Sequence, residues 1–299
     1  MMLPFLLLLA QAPVQIRPAY WLDPDRSEPA GTHYKTFQSK LANSEVSYLI
    51  YLPPDYETNP TKRYPVMYWL HGLNGGPSAG SSYVRQLDSA IREGKIQPVI
   101  AVLVNGMRDS FYCDSPDGKW PVESVIVKEL IPAVDREFRT LATREGRGVE
   151  GFSMGGYGTA HLGFKYPELF GTVGINSGAL LRPEGIVNAK FGNPPLFQKM
   201  FGGDKEKVLA EDPFELVKKN ADKIRGRTAI RVAVGGEDSL KVRNEAMHDL
   251  LTELKIEHQW EVIPDVAHEM PKFYRVEGAK AFGFYNQVLF RSLITYKSQ

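Results

Sequence analysis

The chain has 299 residues, of which 43% are hydrophobic and 24% charged, a composition typical of folded globular proteins. Its 36 basic and 35 acidic residues give a formal net charge of +1, so no nucleic-acid partner is expected. The lone Cys113 excludes an intrachain disulfide, and no run approaches the ~18 apolar residues of a membrane span.

The first twelve residues resemble a signal peptide. Residues 3–10 form an apolar run, and Ala10-Gln11-Ala12 has the small-residue pattern of a cleavage site. The segment has no Lys or Arg and is shorter than usual. We therefore expect residues 1–12 to be removed and the protein to be secreted or periplasmic. The alternative is a loosely packed N-terminus on a cytoplasmic protein.

Strands and helices alternate along the rest of the chain. Residues 64–70 form a continuous apolar run, as expected of a strand covered on both faces. Further strands are predicted at 33–40, 45–52, 98–104, 147–150, 171–175, 229–234 and 258–263, and helices at 82–93, 121–139, 157–166, 242–254 and after residue 268. This alternation predicts one α/β domain over residues 13–299, in which helices cover both faces of a mostly parallel sheet.

Residues 181–227 interrupt this alternation. The segment contains Gly192-Asn193-Pro194-Pro195 and a charged helical run near 214–224. A long insertion between core strands, near the edge that carries the active site, is commonly a binding loop or a lid. A solvated excursion fits the composition equally well, so both interpretations stay open.

Ser153 lies in Gly151-Phe152-Ser153-Met154-Gly155, the Gly-x-Ser-x-Gly pattern of a strand-to-helix turn that exposes a nucleophilic serine. The turn is so tight that side chains two positions on either side of the serine would collide, which explains the glycines. Residues 76–80 match the same pattern around Ser78. They do not follow a strand end, and Pro77 restricts the backbone there, so Ser78 is interpreted as a loop residue.

A serine nucleophile needs a base and an orienting acid, which follow it along the chain in this fold. His248 lies in a predicted helix and His258 in a strand, whereas His268 follows the last strand and is the predicted base. Asp238 follows the preceding core strand and is the predicted acid, with Glu237 as its main competitor. Asp265 is too close to His268 in sequence to reach behind its ring.

Two backbone N–H groups are predicted to bind the negatively charged oxygen that forms during ester cleavage. The N-terminus of the helix after the nucleophile would lie beside Ser153, which leaves the N–H of Met154 free to hold an anion. Leu73 lies in the glycine-rich turn after the 64–70 strand, where such hydrolases have their second donor. His71 precedes that turn, and a structural role is favoured for it.

These motifs together resemble the putative-esterase (esterase D-like) family of α/β-hydrolases, from about Thr36 onwards. The resemblance depends on Tyr51-Leu52-Pro53-Pro54, Tyr64-Pro65-Val66 leading into His71-Gly72, the Ser153 turn, Gly236-Glu237-Asp238 and His268. It implies a triad of Ser153, Asp238 and His268, with Met154 and Leu73 as the oxyanion donors. It also implies that residues 110–115 border the acyl pocket.

The family includes feruloyl and acetyl-xylan esterases, S-formylglutathione hydrolases and mycolyltransferases. We therefore expect a serine carboxylesterase, and since no cofactor-binding or metal-ligand motif is found in the sequence, no metal or cofactor is expected. The resemblance does not settle the substrate. The aromatic and polar residues of the loop 105–120 favour short-chain or hydroxycinnamoyl esters of sugars or oligosaccharides. Tyr112 and Trp120 are the predicted substrate contacts, although they could instead pack under their loop. An acyltransferase, a thioesterase and a non-catalytic binding protein on the same scaffold are the alternatives. The oligomeric state is left open.

Overall fold

A computed structural model describes residues 20–180, 202 and 204–289. Within these ranges eight strands form a single sheet. They are β1 (Thr32–Ser39), β2 (Ser44–Tyr51), β3 (Val66–Leu70), β4 (Ile100–Val104), β5 (Arg147–Phe152), β6 (Thr172–Asn176), β7 (Ala229–Gly235) and β8 (His258–Ile263). The predicted signal peptide lies outside the described residues, so cleavage and export stay predictions.

Helices connect most of the strands. They are α1 (Ser81–Arg92), α2 (Val122–Val125), α3 (Ile131–Glu137), α4 (Met154–Lys165), α5 (Lys205–Glu211), α6 (Pro213–Lys219), α7 (Ala221–Ile224), α8 (Lys241–Glu253) and α9 (Met270–Leu289). None of the described helices has the length and apolar character that crossing a membrane would require.

The strand order is β1-β2-β4-β3-β5-β6-β7-β8. The pairs β1–β2 and β2–β4 are antiparallel, and every later pair is parallel. Because β3, β5, β6, β7 and β8 run in the same direction, the loops after them meet at one edge of the sheet. The predicted α/β-hydrolase architecture is confirmed.

Both faces of the sheet are covered by helices, as the apolar strands predict. On one face α1 and α9 pack together through residues such as Tyr83, Phe273 and Phe282. The other face is covered by α2, α3, α4, α6 and α8. All residues of β3 and β4 are buried, because side chains on both faces of these strands meet helices or neighbouring loops.

The segment predicted as helix 121–139 contains a π-helical turn. Residues Ile126–Leu130 form this turn between α2 and α3. Pro132 is the second residue after this turn, and a proline ring inside a helix collides with the carbonyl group four residues earlier. A wider turn at that point relieves the collision, which gives a physical reason for the break in the α-helix.

Residues 204–227 are a helical crossover that packs against the body of the protein. Phe214 and Val217 of α6 are buried in the main core, and α6 contacts α4, the helix that follows Ser153. A solvated excursion is therefore wrong for this part of the predicted insertion. Residues 181–201 and 203, where a lid would begin, lie outside the described residues.

Candidate active site

Ser153 occupies a strained turn between β5 and α4. Its backbone angles are φ 62° and ψ −117°, a combination rarely seen for a residue with a side chain. A Cβ atom on Gly155 would lie 1.9 Å from the carbonyl oxygen of Leu70, and one on Gly151 would lie 2.5 Å from that of Gly155. The predicted steric reason for both glycines is confirmed.

Three backbone hydrogen bonds hold this strained residue. The Ser153 N–H donates to the carbonyl oxygen of Asn176 at 3.1 Å, and the Ser153 carbonyl accepts the N–H groups of Ala179 at 2.8 Å and Tyr157 at 3.1 Å. Strained conformations persist where surrounding contacts over-determine them. Sequence analysis did not identify Asn176 or Ala179, because a supporting main-chain group leaves no signature in residue type.

His268 and Asp238 meet Ser153 at the carboxyl edge of the sheet. The Nε2 atom of His268 lies 2.8 Å from Ser153 Oγ, and its Nδ1 atom lies 2.8 Å from Asp238 Oδ2. The side chain of His268 is 35% exposed and that of Asp238 is 0% exposed. Solvent therefore reaches the imidazole ring, while the carboxylate behind it is shielded.

Asp238 is positioned to accept hydrogen bonds only. Burial would raise the pKa of this carboxyl group, but the donors His268 and the Leu240 N–H, which lies 2.8 Å from Oδ1, outweigh burial and lower the pKa. An ionised carboxylate has no proton to donate. The shared hydrogen atom therefore belongs to His268 Nδ1, which leaves Nε2 as an acceptor toward Ser153.

The competing candidates lie elsewhere. Ser78 is in a short 3-10 helix (Pro77–Gly80), where its Oγ atom donates to Asp25 at 3.0 Å. His248 Nδ1 and His258 Nε2 lie 2.7 Å apart and pair with each other. Glu237 is exposed to solvent. Asp265 has a positive φ of 56° and its carbonyl oxygen accepts a hydrogen bond from Lys272, both within the loop before His268.

The predicted oxyanion donors lie on both sides of Ser153. Met154 is the first residue of α4. On the other side, a Cβ atom on Gly72 would lie 3.4 Å from Ser153 Cβ and 3.9 Å from its Oγ, so the turn that carries Leu73 adjoins Ser153. Neither N–H group pairs with a backbone acceptor among the described residues. Both are available to a ligand.

The turn that contains Gly72 and Leu73, called the oxyanion turn below, is supported from inside the protein by His71. Its Nε2 atom accepts the Gly106 N–H at 3.3 Å, and its Nδ1 atom lies 2.9 Å from the carbonyl oxygen of Gly72. Burial lowers the pKa of His71 to about 4, so the ring is neutral at pH 7. These contacts agree with the predicted structural role.

The structure corrects the proposed aromatic contacts with substrate. Tyr112 is 0% exposed, and its hydroxyl donates to the carbonyl oxygen of His71 at 3.0 Å. The residue therefore braces the oxyanion turn and has no surface for a substrate. Phe111 is buried as well. Trp120 keeps part of its surface exposed and packs on Trp21, with ring centres 6.1 Å apart.

One group of described side chains has metal-binding atoms close together: Cys113, His161 and Glu211. Glu123 lies 2.6 Å from His161 Nε2, and Lys165 Nζ lies 2.6 Å from Glu211 and 2.9 Å from Glu123. Burial raises the pKa of the Cys113 thiol, which therefore stays neutral. Protonated His161 and Lys165 balance the two carboxylates, so the group is a complete ion-pair network that needs no metal.

This network predicts a pH-dependent contribution to stability. Burial alone would lower the pKa of His161, but the hydrogen bond to the Glu123 carboxylate and its negative charge raise it well above 6.5. The stabilisation is therefore fully present below pH 6.5 and is lost as the pH rises through the folded-state pKa. We expect His161→Gln to lower the melting temperature most below pH 6.5, and we expect the loss to shrink as the pH rises through the folded-state pKa of His161. A loss that stays the same across a pH series of thermal melts would contradict this prediction.

The comparisons with known proteins agree with the fold. The sequence profile of the family described as "Putative esterase" matches residues 39–296. Because the match spans most of the chain, the protein belongs to this family of α/β-hydrolase esterases. The resemblance inferred from the sequence motifs is confirmed.

Two curated relatives carry esterase names. The chain is 34% identical over 165 residues to an endo-1,4-beta-xylanase/feruloyl esterase of Xylanibacter ruminicola, and the aligned region covers 52% of this chain and 22% of that protein. It is 30% identical over 213 residues to Esterase Rv1288 of Mycobacterium tuberculosis, which covers 66% of this chain and 45% of that protein. The chain therefore spans less than half the length of either relative.

A solved structure of a ferulic acid esterase has the same fold. It superposes with a TM-score of 0.75 at 23% sequence identity, and the match covers 86% of this chain and 98% of that one. At this level of identity the similarity supports the fold, and the chemistry of this chain must be argued from its own residues.

Proposed function

We propose that the protein is a serine carboxylesterase that works through an acyl-enzyme on Ser153. The observation that carries the proposal is the hydrogen-bonded chain from Ser153 Oγ through His268 to Asp238, with both distances at 2.8 Å. A serine hydroxyl becomes an effective nucleophile when a neighbouring base accepts its proton and an acid orients that base. Membership of the esterase family supports the same reaction class.

In the acylation step, Ser153 Oγ attacks the carbonyl carbon of the ester while His268 Nε2 takes the hydroxyl proton. The carbonyl oxygen becomes negatively charged and accepts hydrogen bonds from the N–H groups of Met154 and Leu73. The tetrahedral intermediate then collapses. The bond to the alcohol oxygen breaks, and His268 returns the proton to the departing alcohol.

In the deacylation step, a water molecule replaces the alcohol. His268 removes a proton from this water as it attacks the acyl carbon, and the same oxyanion donors hold the second tetrahedral intermediate. Its collapse releases the carboxylic acid, and His268 returns the proton to Ser153 Oγ. The solvent-exposed surface of His268 gives water access to the imidazole ring. Asp238 stays ionised and stabilises the imidazolium in both steps.

The proposed substrates are short-chain or hydroxycinnamoyl esters of sugars. Support comes from the relatives, whose names include a feruloyl esterase and an acetyl esterase of Caldicellulosiruptor saccharolyticus. Trp120 is the one residue of the predicted aromatic pair that keeps exposed surface for a phenolic or sugar ring. Tyr112 contributes through the oxyanion turn instead.

A panel of p-nitrophenyl esters tests this proposal. We expect kcat/KM for acetyl and feruloyl esters to exceed that for the palmitoyl ester at least about tenfold. The reason is that the proposed acyl site accepts short or aromatic acyl groups and has no long apolar channel for a palmitoyl chain. The Ser153→Ala protein, assayed in parallel, measures background hydrolysis. A steady rise in kcat/KM from acetyl to palmitoyl would show that the acyl site is a lipid channel, against the proposal.

The same assay distinguishes the alternative activities. Addition of an acceptor sugar to the acetyl ester reaction would divert the acyl group to the sugar if the protein is an acyltransferase, and product analysis detects the new ester. S-formylglutathione as the preferred substrate would indicate a thioesterase. If the protein turns over no substrate and Ser153 is not labelled by a fluorophosphonate, the result would indicate a non-catalytic binding protein.

A further inference from the structure

Glu150 is a buried carboxyl group on β5, three residues before Ser153. Its side chain is 0% exposed and points toward the side of the sheet covered by α1 and α9. Glu150 Oε2 accepts hydrogen bonds from the Tyr285 hydroxyl at 3.0 Å and from Asn176 Nδ2 at 3.1 Å. The reaction proposed above does not use this carboxyl group.

The surrounding backbone is shaped to admit these partners. Gly174 of β6 pairs with Glu150 across the sheet. A Cβ atom on Gly174 would lie 1.9 Å from the Tyr285 hydroxyl oxygen, so any larger residue would exclude that hydroxyl from its place beside the carboxyl group. The contact between Tyr285 and Glu150 thus depends on a glycine at this position, which indicates a specific arrangement.

Asn176 connects Glu150 to the nucleophile. Its side chain donates to Glu150, and its backbone carbonyl accepts the N–H of Ser153 at 3.1 Å. The same side chain contacts the Tyr274 hydroxyl at 3.4 Å and Arg231 at 3.5 Å. Fixing the side chain of Asn176 also restrains the peptide group that holds Ser153 in its strained conformation.

The carboxyl group itself has a lowered tendency to ionise. Burial raises the pKa of Glu150 to about 7, although nearby donors and the positive charge of Arg231 act in the opposite direction. Arg231 is already paired with Glu277 at 2.6 Å. Titratable and charged groups from three elements face Glu150: Tyr83 of α1, Arg231 of β7, and Tyr274 and Tyr285 of α9. Glu277 of α9 acts on Glu150 indirectly, through its ion pair with Arg231. A neutral carboxyl group resembles a carboxamide in size and hydrogen bonding, so glutamine is a close substitute for Glu150.

We propose that Glu150 is a positioning residue, which acts through Asn176 to hold Ser153 at the distance and angle that attack requires. The inference rests on the proposed esterase function and adds a residue outside the triad that sets its geometry. Glu150 touches neither substrate nor the reacting atoms. Loss of its hydrogen bonds should therefore lower kcat and leave substrate binding unchanged.

The test compares Glu150→Gln with Glu150→Met, since methionine has a similar length and no hydrogen-bonding oxygen. We expect Glu150→Gln to keep a kcat close to that of the wild type at pH 6. Glu150→Met should lose about tenfold or more in kcat at unchanged KM, because small displacements of a nucleophile slow the reaction strongly. Reaction of Ser153 with a fluorophosphonate probe should slow in parallel.

A double-mutant cycle with Asn176→Ala tests the route of the effect. If Glu150 acts through Asn176, the Glu150→Met, Asn176→Ala protein should be no slower than the slower single variant. If Glu150→Met does not fold, the kcat and KM of Asn176→Ala alone still test the connection. Equal kcat for the folded wild type, Glu150→Met and Asn176→Ala proteins would overturn the positioning role.

Failure of the proposed function would look different. In that case the wild-type protein itself would hydrolyse no ester and take up no probe. The positioning role is rejected only when an active wild-type enzyme and the two variants behave alike.

Discussion

Replacement of Ser153 by alanine is expected to reduce ester turnover by about 10⁶-fold, which is the effect of removing a serine nucleophile from a triad that acts as a unit. The Oγ atom of Ser153 lies 2.8 Å from His268 Nε2, the proposed base. Alanine fits the same space, and the three backbone bonds that hold residue 153 do not involve the side chain. The variant should therefore stay folded, and kcat measured with p-nitrophenyl acetate checks the loss.

Ser78→Ala is the matched control for this experiment. Ser78 is also flanked by glycines two positions away, but its hydroxyl donates to Asp25 near the surface and lies outside the triad. Its replacement should leave kcat and KM close to the wild-type values. Similar losses in the two variants, with unchanged melting temperatures, would mean that the Gly151–Gly155 turn does not hold the nucleophile.

The Ser153 turn could be predicted because its constraints are local. Larger side chains at 151 and 155 would collide with atoms a few residues away or on the adjacent strand β3. The glycine pattern therefore indicates a tight turn without knowledge of distant contacts. Asp238 and His268 could be predicted from chain order and from their places after β7 and β8. In a parallel sheet these places converge on one edge, so the position along the chain already implies proximity.

Other parts of the site depend on contacts that residue type does not reveal. Tyr112 was predicted as a substrate contact because aromatic residues suit a pocket edge. The structure turns its ring inward, where the hydroxyl meets the carbonyl oxygen of His71. The bonds from Ser153 to Asn176 and from Asn176 to Glu150 join different strands through main-chain and amide groups. No spacing within one segment encodes such a connection.

The predicted insertion illustrates the same difference at a larger scale. From the sequence alone, a binding loop or lid and a solvated excursion were equally compatible with this segment. Asp212 accepts the N–H of Phe214 at the start of α6, and the helix then buries Phe214 and Val217 against the core. Alternating charged and apolar residues on a short helix are consistent with either burial or exposure until the packing partner, here α4, is known.

Asp238→Asn is expected to reduce kcat by about 10⁴-fold while the protein keeps its fold. Asp238 Oδ1 accepts the Leu240 N–H at 2.8 Å, and Oδ2 faces His268 Nδ1. An asparagine would keep its oxygen on the Leu240 N–H, which turns its NH₂ group toward His268. The amide would then donate to Nδ1, and the imidazole proton would move to Nε2.

That tautomer presents a proton to Ser153 where an acceptor is needed, so His268 could no longer take the hydroxyl proton. The control is Glu237→Gln, which changes the charge of an adjacent, exposed residue and should leave kcat near wild type. Steady-state kinetics on p-nitrophenyl acetate, with melting temperatures for both variants, provides the comparison. A near-normal rate for Asp238→Asn together with a large loss for Glu237→Gln would transfer the role of orienting acid to Glu237. The buried position of Asp238, with its carboxylate 2.8 Å from the imidazole ring, argues that Asp238 is the orienting acid.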